Sequence, residues 1–215
     1  MNIYPSLMVV PEQELEKEIH LLAHYCAGFH IDIMDGIFVP TTFWNDPQRV
    51  NEIVKIAKRV WMHLMIQKPD AFYQQLCLPN DSLVSFHIES DVDVFEFSKI
   101  LREKKQRVSL AINPKTPISD IIPFLNVVDH ILIMSIDPGQ SGQPFLENSF
   151  EKIAELIAYR KMQQLHFSIG VDGGINKNNI NRLAMQGIND CAIASGIFND
   201  EDHMQALLKL QRMSE

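Results

Sequence analysis

The stretch Phe29-His30-Ile31-Asp32-Ile33-Met34-Asp35-Gly36 decides the fold. Residues 29–33 form a short run rich in Ile and Phe, as a strand buried on both faces should be. Seven further runs of the same kind cover residues 3–9, 60–65, 83–88, 107–112, 130–136, 166–171 and 191–194. Between them lie longer amphipathic stretches that predict helices over 12–27, 47–58, 70–78, 92–105, 118–125, 146–163, 177–186 and 201–212. In the first of these, Leu15, Ile19, Leu22 and Ala23 share one stripe, with Glu14, Glu16, Lys17 and Glu18 mostly elsewhere. Pro11, Pro47, Pro69 and Pro117 sit at or near first turns, where a missing N–H does no harm. Eight strands alternating with eight helices demand parallel crossover connections. The count of eight, with no Gly-x-Gly-x-x-Gly after the first strand, predicts a closed (β/α)8 TIM barrel rather than an open doubly wound sheet.

The 215 residues fit one barrel domain spanning 1–215, near the lower end for such a barrel, and no linker or low-complexity tract divides them. A hydrophobic content of 46% supplies a large core, while a net charge of −8 argues against nucleic acid or an anionic membrane as partner. Cys26, Cys77 and Cys191 are widely spaced among apolar neighbours and read as reduced, buried thiols. The opening Met1-Asn2-Ile3-Tyr4-Pro5 carries no signal-peptide pattern, and no run of about 18 apolar residues could span a bilayer, so the expected compartment is the cytoplasm.

Function in such a barrel sits at the C-terminal strand ends. His30 and Asp32, two apart, leave the second strand on one face. His63 ends the third strand and Asp172 the seventh, so two imidazoles and two carboxylates converge from three strands. That set suits one divalent ion, with zinc, iron, manganese or cobalt all permitted. Any one of these histidines alone would read as a satisfied core residue, but four such groups at one barrel mouth do not. A separate signal comes from Gly139-Gln140-Ser141-Gly142 after strand six, Gly173-Gly174 after strand seven and Ala194-Ser195-Gly196 after strand eight. Glycine-rich turns there let backbone N–H groups approach a phosphate, and no lysine or arginine shares these loops. Met8, Met34, Met65 and Met134 recur at strand ends, either filling core or walling a carbanion off from water. His87 and Asn113, ending strands four and five, face the same mouth. His20, His24, His130, His166 and His203 lie elsewhere and read as structural or surface residues.

These segments resemble the ribulose-phosphate 3-epimerase family along nearly the whole chain. The matching residues run from Pro5-Ser6-Leu7 through His30-Ile31-Asp32-Ile33-Met34-Asp35-Gly36, Phe38-Val39-Pro40 and His63-Leu64-Met65. They continue with His87, Asn113-Pro114-Lys115-Thr116-Pro117, Met134-Ser135-Ile136-Asp137-Pro138-Gly139, Gly142-Gln143-Pro144-Phe145 and Val171-Asp172-Gly173-Gly174. The resemblance implies a barrel of the ribulose-phosphate-binding type and a homo-oligomer. It also implies one divalent metal on His30, Asp32, His63 and Asp172, with Asp32 and Asp172 as the two acid/base groups. Ser6, His63, Gly139, Gln140, Ser141, Gly142, Gly173, Gly174, Ala194 and Ser195 would touch the sugar or its phosphate. Inverting C3 of a 2-ketose means removing a proton from one face and returning one to the other, which calls for two bases and a stabilised 2,3-enediolate.

The chain departs from the family pattern at Thr41, Gln140, Ser141 and Ala194, and in Thr42-Phe43-Trp44-Asn45-Asp46-Pro47. None of these is a presumed ligand, so they bear on which ketose phosphate is taken. D-ribulose 5-phosphate is the expected substrate. Gln143-Pro144-Phe145 and Ser195-Gly196-Ile197-Phe198 also look like the related allulose-6-phosphate 3-epimerases. A phosphate-barrel decarboxylase or aldolase-like synthase would carry Lys where Met34 stands, and a non-catalytic sugar-phosphate-binding barrel would have lost one of the four ligands.

Overall fold

A computed structural model describes residues 1–139 and 142–215. Gln140 and Ser141, both expected at the phosphate loop, lie outside the described residues. One sheet organises the chain. Its strands are β1 (Asn2–Pro5), β2 (Phe29–Asp35), β3 (Thr42–Phe43), β4 (Val60–Met65), β5 (Leu83–His87), β6 (Arg107–Ile112), β7 (His130–Met134), β8 (Ser168–Asp172) and β9 (Asp190–Ile193). Their order is β1-β9-β8-β7-β6-β5-β4-β2-β3, parallel throughout except for the two-residue antiparallel β3 at the rim. A parallel bridge between Ser6, just past β1, and His30 on β2 joins the first and last of the parallel strands in that order. Eight parallel strands thereby close into the (β/α)8 barrel.

Strand alternation sorts the side chains into two cores. Ile31, Ile33, Leu64, Phe86, Leu110, Ile133 and Val171 point outward into the main cluster, which the helices cover. Trp61, Leu83, Ala111, Leu132, Met134 and Ala192 point inward and fill the barrel. Polar inward residues satisfy one another there. Trp61 Nε1 donates to Ser85 Oγ at 2.7 Å, Ser85 donates to Ser109 at 2.6 Å, and Ser109 meets His130 Nδ1 at 2.7 Å. Gly170 makes room for this layer: a Cβ on it would lie 2.5 Å from His130 Nε2 and 2.7 Å from Trp61.

The outer layer is α1 (Leu15–Leu22), α2 (Pro47–Ala57), α3 (Pro69–Tyr73), α4 (Val94–Glu103), α5 (Ser149–Met162), α6 (Ile180–Gln186), α7 (Ser195–Phe198) and α8 (His203–Met213). In α2 the Asp46 side chain accepts from Gln48 N, Pro47 opens the first turn, and Val50, Ile53, Val54 and Ala57 are buried at helical spacing. Burying a side chain the size of Val or Ile stabilises by roughly 1.5–3 kcal/mol. Among the described residues, no helix is long and apolar enough to cross a membrane.

Several expectations need correction. The first strand ends at Pro5, not at residue 9, because Leu7–Val9 is a 3-10 turn. The helix expected over 118–125 is two 3-10 turns, Ile118–Asp120 and Ile122–Phe124. Pro123 in its middle has no N–H to continue an α-helix. Cys77 is exposed, unlike Cys26 and Cys191. Glu18, though off the apolar stripe, is buried, with His203 Nδ1 at the start of α8 2.8 Å from its Oε2.

Candidate active site

Parallel register brings the chemistry together at the barrel mouth. Asp32 on β2 pairs with His63 on β4, and Met134 on β7 pairs with Asp172 on β8. Because inward residues recur at every second position, His30, Asp32, His63 and Asp172 all point into the barrel. One ligand atom from each lies within 4.8 Å of the others. His63 Nδ1 stands between the two carboxylates, 3.1 Å from Asp32 Oδ1 and 3.3 Å from Asp172 Oδ2. His30 Nδ1 is 3.2 Å from Asp32 Oδ2, and the Ser6 hydroxyl donates to that same oxygen at 2.8 Å. His30 Nε2 is buried without a hydrogen-bond partner and lies 4.0 Å from Asp172 Oδ2. With Asp32, His63 and Asp172, His30 completes a set of two imidazoles and two carboxylates that could hold one ion. The N2O2 donor set fits a zinc-like or first-row divalent ion.

Electrostatics follow from this crowding. Burial alone would raise the Asp32 pKa, but the charges and hydrogen bonds of His30 and His63 outweigh it and hold the carboxyl well below its usual range. Burial would lower the His63 pKa, yet hydrogen bonds to Asp172 and Asp32 raise it to about 9. Asp32 is therefore kept as an anion, and His63 draws a positive partner, either a proton or a metal.

Above the cluster, a cleft opens between the βα loops. Asp32 and Asp172 form part of its floor, and Met8, Met34, Met65 and Met134 line its wall. Gly139, Gly142, Gly173, Gly174, Ala194 and Ser195 border it on the side of the last three strands. No lysine or arginine borders it among the described residues. Two glycines there are required by geometry. Gly173 has φ +113°, and a Cβ on it would lie 2.4 Å from Ile136. Gly174 has φ +64°, and a Cβ on it would lie 2.4 Å from the Phe145 backbone nitrogen. The loop is pinned from behind. The Ser135 hydroxyl lies 2.9 Å from Asp172 O and 2.6 Å from Gly173 O, and Asn176 and Asn179 each donate to Gly174 O at 3.0 Å.

His87 and Asn113 do not border the cleft. His87 stands behind His63, with their Nε2 atoms 2.9 Å apart and their ring planes 21° from parallel. Burial, and the neighbouring His63, push the His87 pKa down, against the Glu89 hydrogen bond that raises it. Its Nδ1 lies 3.1 Å from Oε2 of Glu89, a residue that sequence reasoning passed over. Burial would raise the Glu89 pKa, but bonds from His87, Thr116 and the Asn113 amide lower it, so it is a carboxylate. A His-x-Glu spacing at a strand end was the available signal.

Known proteins match the chain as follows. The family described as the ribulose-phosphate 3 epimerase family matches residues 2–198. The ribulose-phosphate 3-epimerase of Aquifex aeolicus is 32% identical over 188 residues, covering 86% of this chain and 83% of its own. That of Schizosaccharomyces pombe is 28% identical, covering 98% and 92%. Among solved structures, 3-hexulose-6-phosphate synthase from Salmonella typhimurium superposes with a TM-score of 0.66 at 13% identity, covering 100% and 98%. That last likeness concerns the fold alone.

Proposed function

The chain belongs to the ribulose-phosphate 3 epimerase family, and from that premise we propose that it inverts C3 of a ketose phosphate, interconverting D-ribulose 5-phosphate and D-xylulose 5-phosphate. The observation that carries this reading is the pair of carboxylates, Asp32 and Asp172, at 3.1 and 3.3 Å from a single nitrogen of His63 on the floor of one cleft. Two bases on a common floor can address the two faces of one carbon, and one base cannot.

In this reading His30, Asp32, His63 and Asp172 hold one divalent ion, which when bound supplies a positive charge that stabilises negative charge developing on the substrate's oxygens. Asp32 accepts or returns the C3 proton from one side. Its basicity is set by His30 and His63, and its orientation by the Ser6 hydroxyl. Asp172 does the same from the other side, its backbone fixed by Ser135. The methionine wall keeps water from the carbanion-like carbon. Amides of the Gly139, Gly142, Gly173, Gly174 and Ser195 loops receive the phosphate without a cationic side chain.

The test is isotopic. Ribulose 5-phosphate incubated with the enzyme in D₂O is expected to give xylulose 5-phosphate carrying deuterium at C3. Xylulose 5-phosphate formed without label would overturn the two-base proposal. No product from this substrate, with turnover of a hexulose 6-phosphate instead, would move the specificity and leave the chemistry.

A further inference from the structure

Behind the four-residue cluster runs a hydrogen-bonded line that the proposed chemistry does not use. His63 Nε2 faces His87 Nε2 at 2.9 Å, and His87 Nδ1 faces Glu89 Oε2 at 3.1 Å. The other Glu89 oxygen, Oε1, accepts the Asn113 backbone N–H at 2.9 Å and also the Thr116 hydroxyl. The loop that carries those two donors is itself tied down. Lys152 Nζ donates to the carbonyls of Asn113, Pro114 and Thr116 at 2.9, 2.6 and 2.7 Å. Phe38 packs against His87 with ring centroids 4.8 Å apart, which holds the plane of the middle ring.

We propose that Glu89 is a positioning residue: acting through His87, it fixes the tautomer of His63 that turns the Nδ1 lone pair toward Asp32, Asp172 and His30. The inference rests on the reading of that cluster as a divalent-metal site.

Proton counting leaves one arrangement. Glu89 is an acceptor only, so His87 Nδ1 carries the hydrogen. His87 is fully buried with one carboxylate, at Nδ1, and an imidazole nitrogen opposite Nε2, so its second nitrogen offers a lone pair there. Two N–H groups cannot face each other at 2.9 Å, so the single hydrogen between the rings belongs to His63 Nε2. That leaves His63 Nδ1 bare toward the cluster, as ligation of a metal requires.

Glutamine at position 89 is isosteric and reverses the line. The Asn113 N–H, a fixed backbone donor, requires an acceptor at the Oε1 position. The glutamine carbonyl must take that place, which turns the NH2 group toward His87 Nδ1. His87 is then driven to the Nε2–H tautomer, and His63 to the Nδ1–H tautomer, which blocks the metal.

The experiment uses zinc as the probe and needs no turnover. Zinc affinity is measured by chelator competition on wild-type and Glu89→Gln protein, and histidine tautomers are read by long-range 1H–15N correlation on the zinc-loaded wild type. The expected result is a roughly 10- to 100-fold weaker zinc affinity in Glu89→Gln, with His87 protonated at Nδ1 and His63 at Nε2 in wild type. Glu89→Gln binding zinc within about twofold of a zinc-binding wild type would overturn the positioning role and leave the metal site standing. So would a wild-type His87 protonated at Nε2, a result that decides even where the variant does not fold. A wild type that binds no zinc, iron, manganese or cobalt would overturn the metal site itself.

Discussion

Asp32 and Asp172 flank His63 Nδ1 at 3.1 and 3.3 Å, but they do not stand in equivalent surroundings. Asp32 is buried and receives Ser6 and His30, while the Asp172 carboxylate is 15% exposed at the cleft. In the proposed two-base reaction, replacing either with Asn removes one of two proton carriers and is expected to lower the epimerisation rate by about 10²–10⁴-fold. The remaining carboxylate still reaches one face. Each variant should therefore exchange the C3 proton of one epimer with D₂O while inverting neither, and each should favour the opposite epimer. Proton NMR of both sugars measures this, and exchange of the same epimer by both variants would contradict the two-face assignment. These residues were legible because His30 and Asp32 are two apart on a strand, which fixes their common face. Glu89 was not, since it lies just past the end of β5 in a turn, where strand alternation no longer predicts direction. Glu18 shows a related limit. Local periodicity placed it off the apolar stripe, yet it is buried beside His203, 185 positions away.

Caps show how the elements are held independently of the chemistry. Asp46, Asp93 and Asp202 precede α2, α4 and α8, and each accepts a backbone N–H from the first turn. Asp93→Ala removes the acceptor for Glu96 N on the outer layer, away from the cleft. It is expected to destabilise the fold by about 1 kcal/mol with kcat and KM unchanged. Chemical denaturation beside steady-state kinetics checks both halves; a changed kcat would mean that α4 communicates with the site. The strands were the readable elements. The bounds of β4 and β6 coincide with the apolar runs because central barrel strands are buried on both faces over their full length. Runs at 3–9 and 130–136 overshot, since apolar residues continue into turns that line the core or the cleft, as Leu7 and Ile136 do. Helix ends were less readable for the same physical reason. Burial marks a face and does not mark where the hydrogen-bond ladder stops.

At the scale of the whole molecule, closure of the barrel and charge at its mouth are one problem. The bridge that closes the sheet joins Ser6 to His30, which are also the residues that hold Asp32 Oδ2. Charge left unbalanced there should register in global stability. In metal-free protein the balancing charge is the His63 proton, with its pKa raised from 6.5 to about 9. A group raised on folding contributes fully below its unfolded pKa and loses that contribution as pH rises through the folded one. Metal-free protein should therefore lose stability between about pH 6.5 and 9. Metal-loaded protein escapes that loss, because His63 is deprotonated in the complex as it is in the unfolded chain, so over the same window each pH unit favours the ion-bound over the metal-free fold by about tenfold, or about 1.4 kcal/mol. Groups outside the four-residue cluster cancel in the difference between the two forms. The gap in Tm between zinc-loaded and metal-free protein at fixed free zinc should widen by roughly 3–5 °C per pH unit across this window. Differential scanning calorimetry at pH 6.5, 7.5 and 8.5 measures it. A gap that stays constant or narrows would mean that the proton and the metal do not compete for His63, and the four-residue site would have to be redrawn without that imidazole.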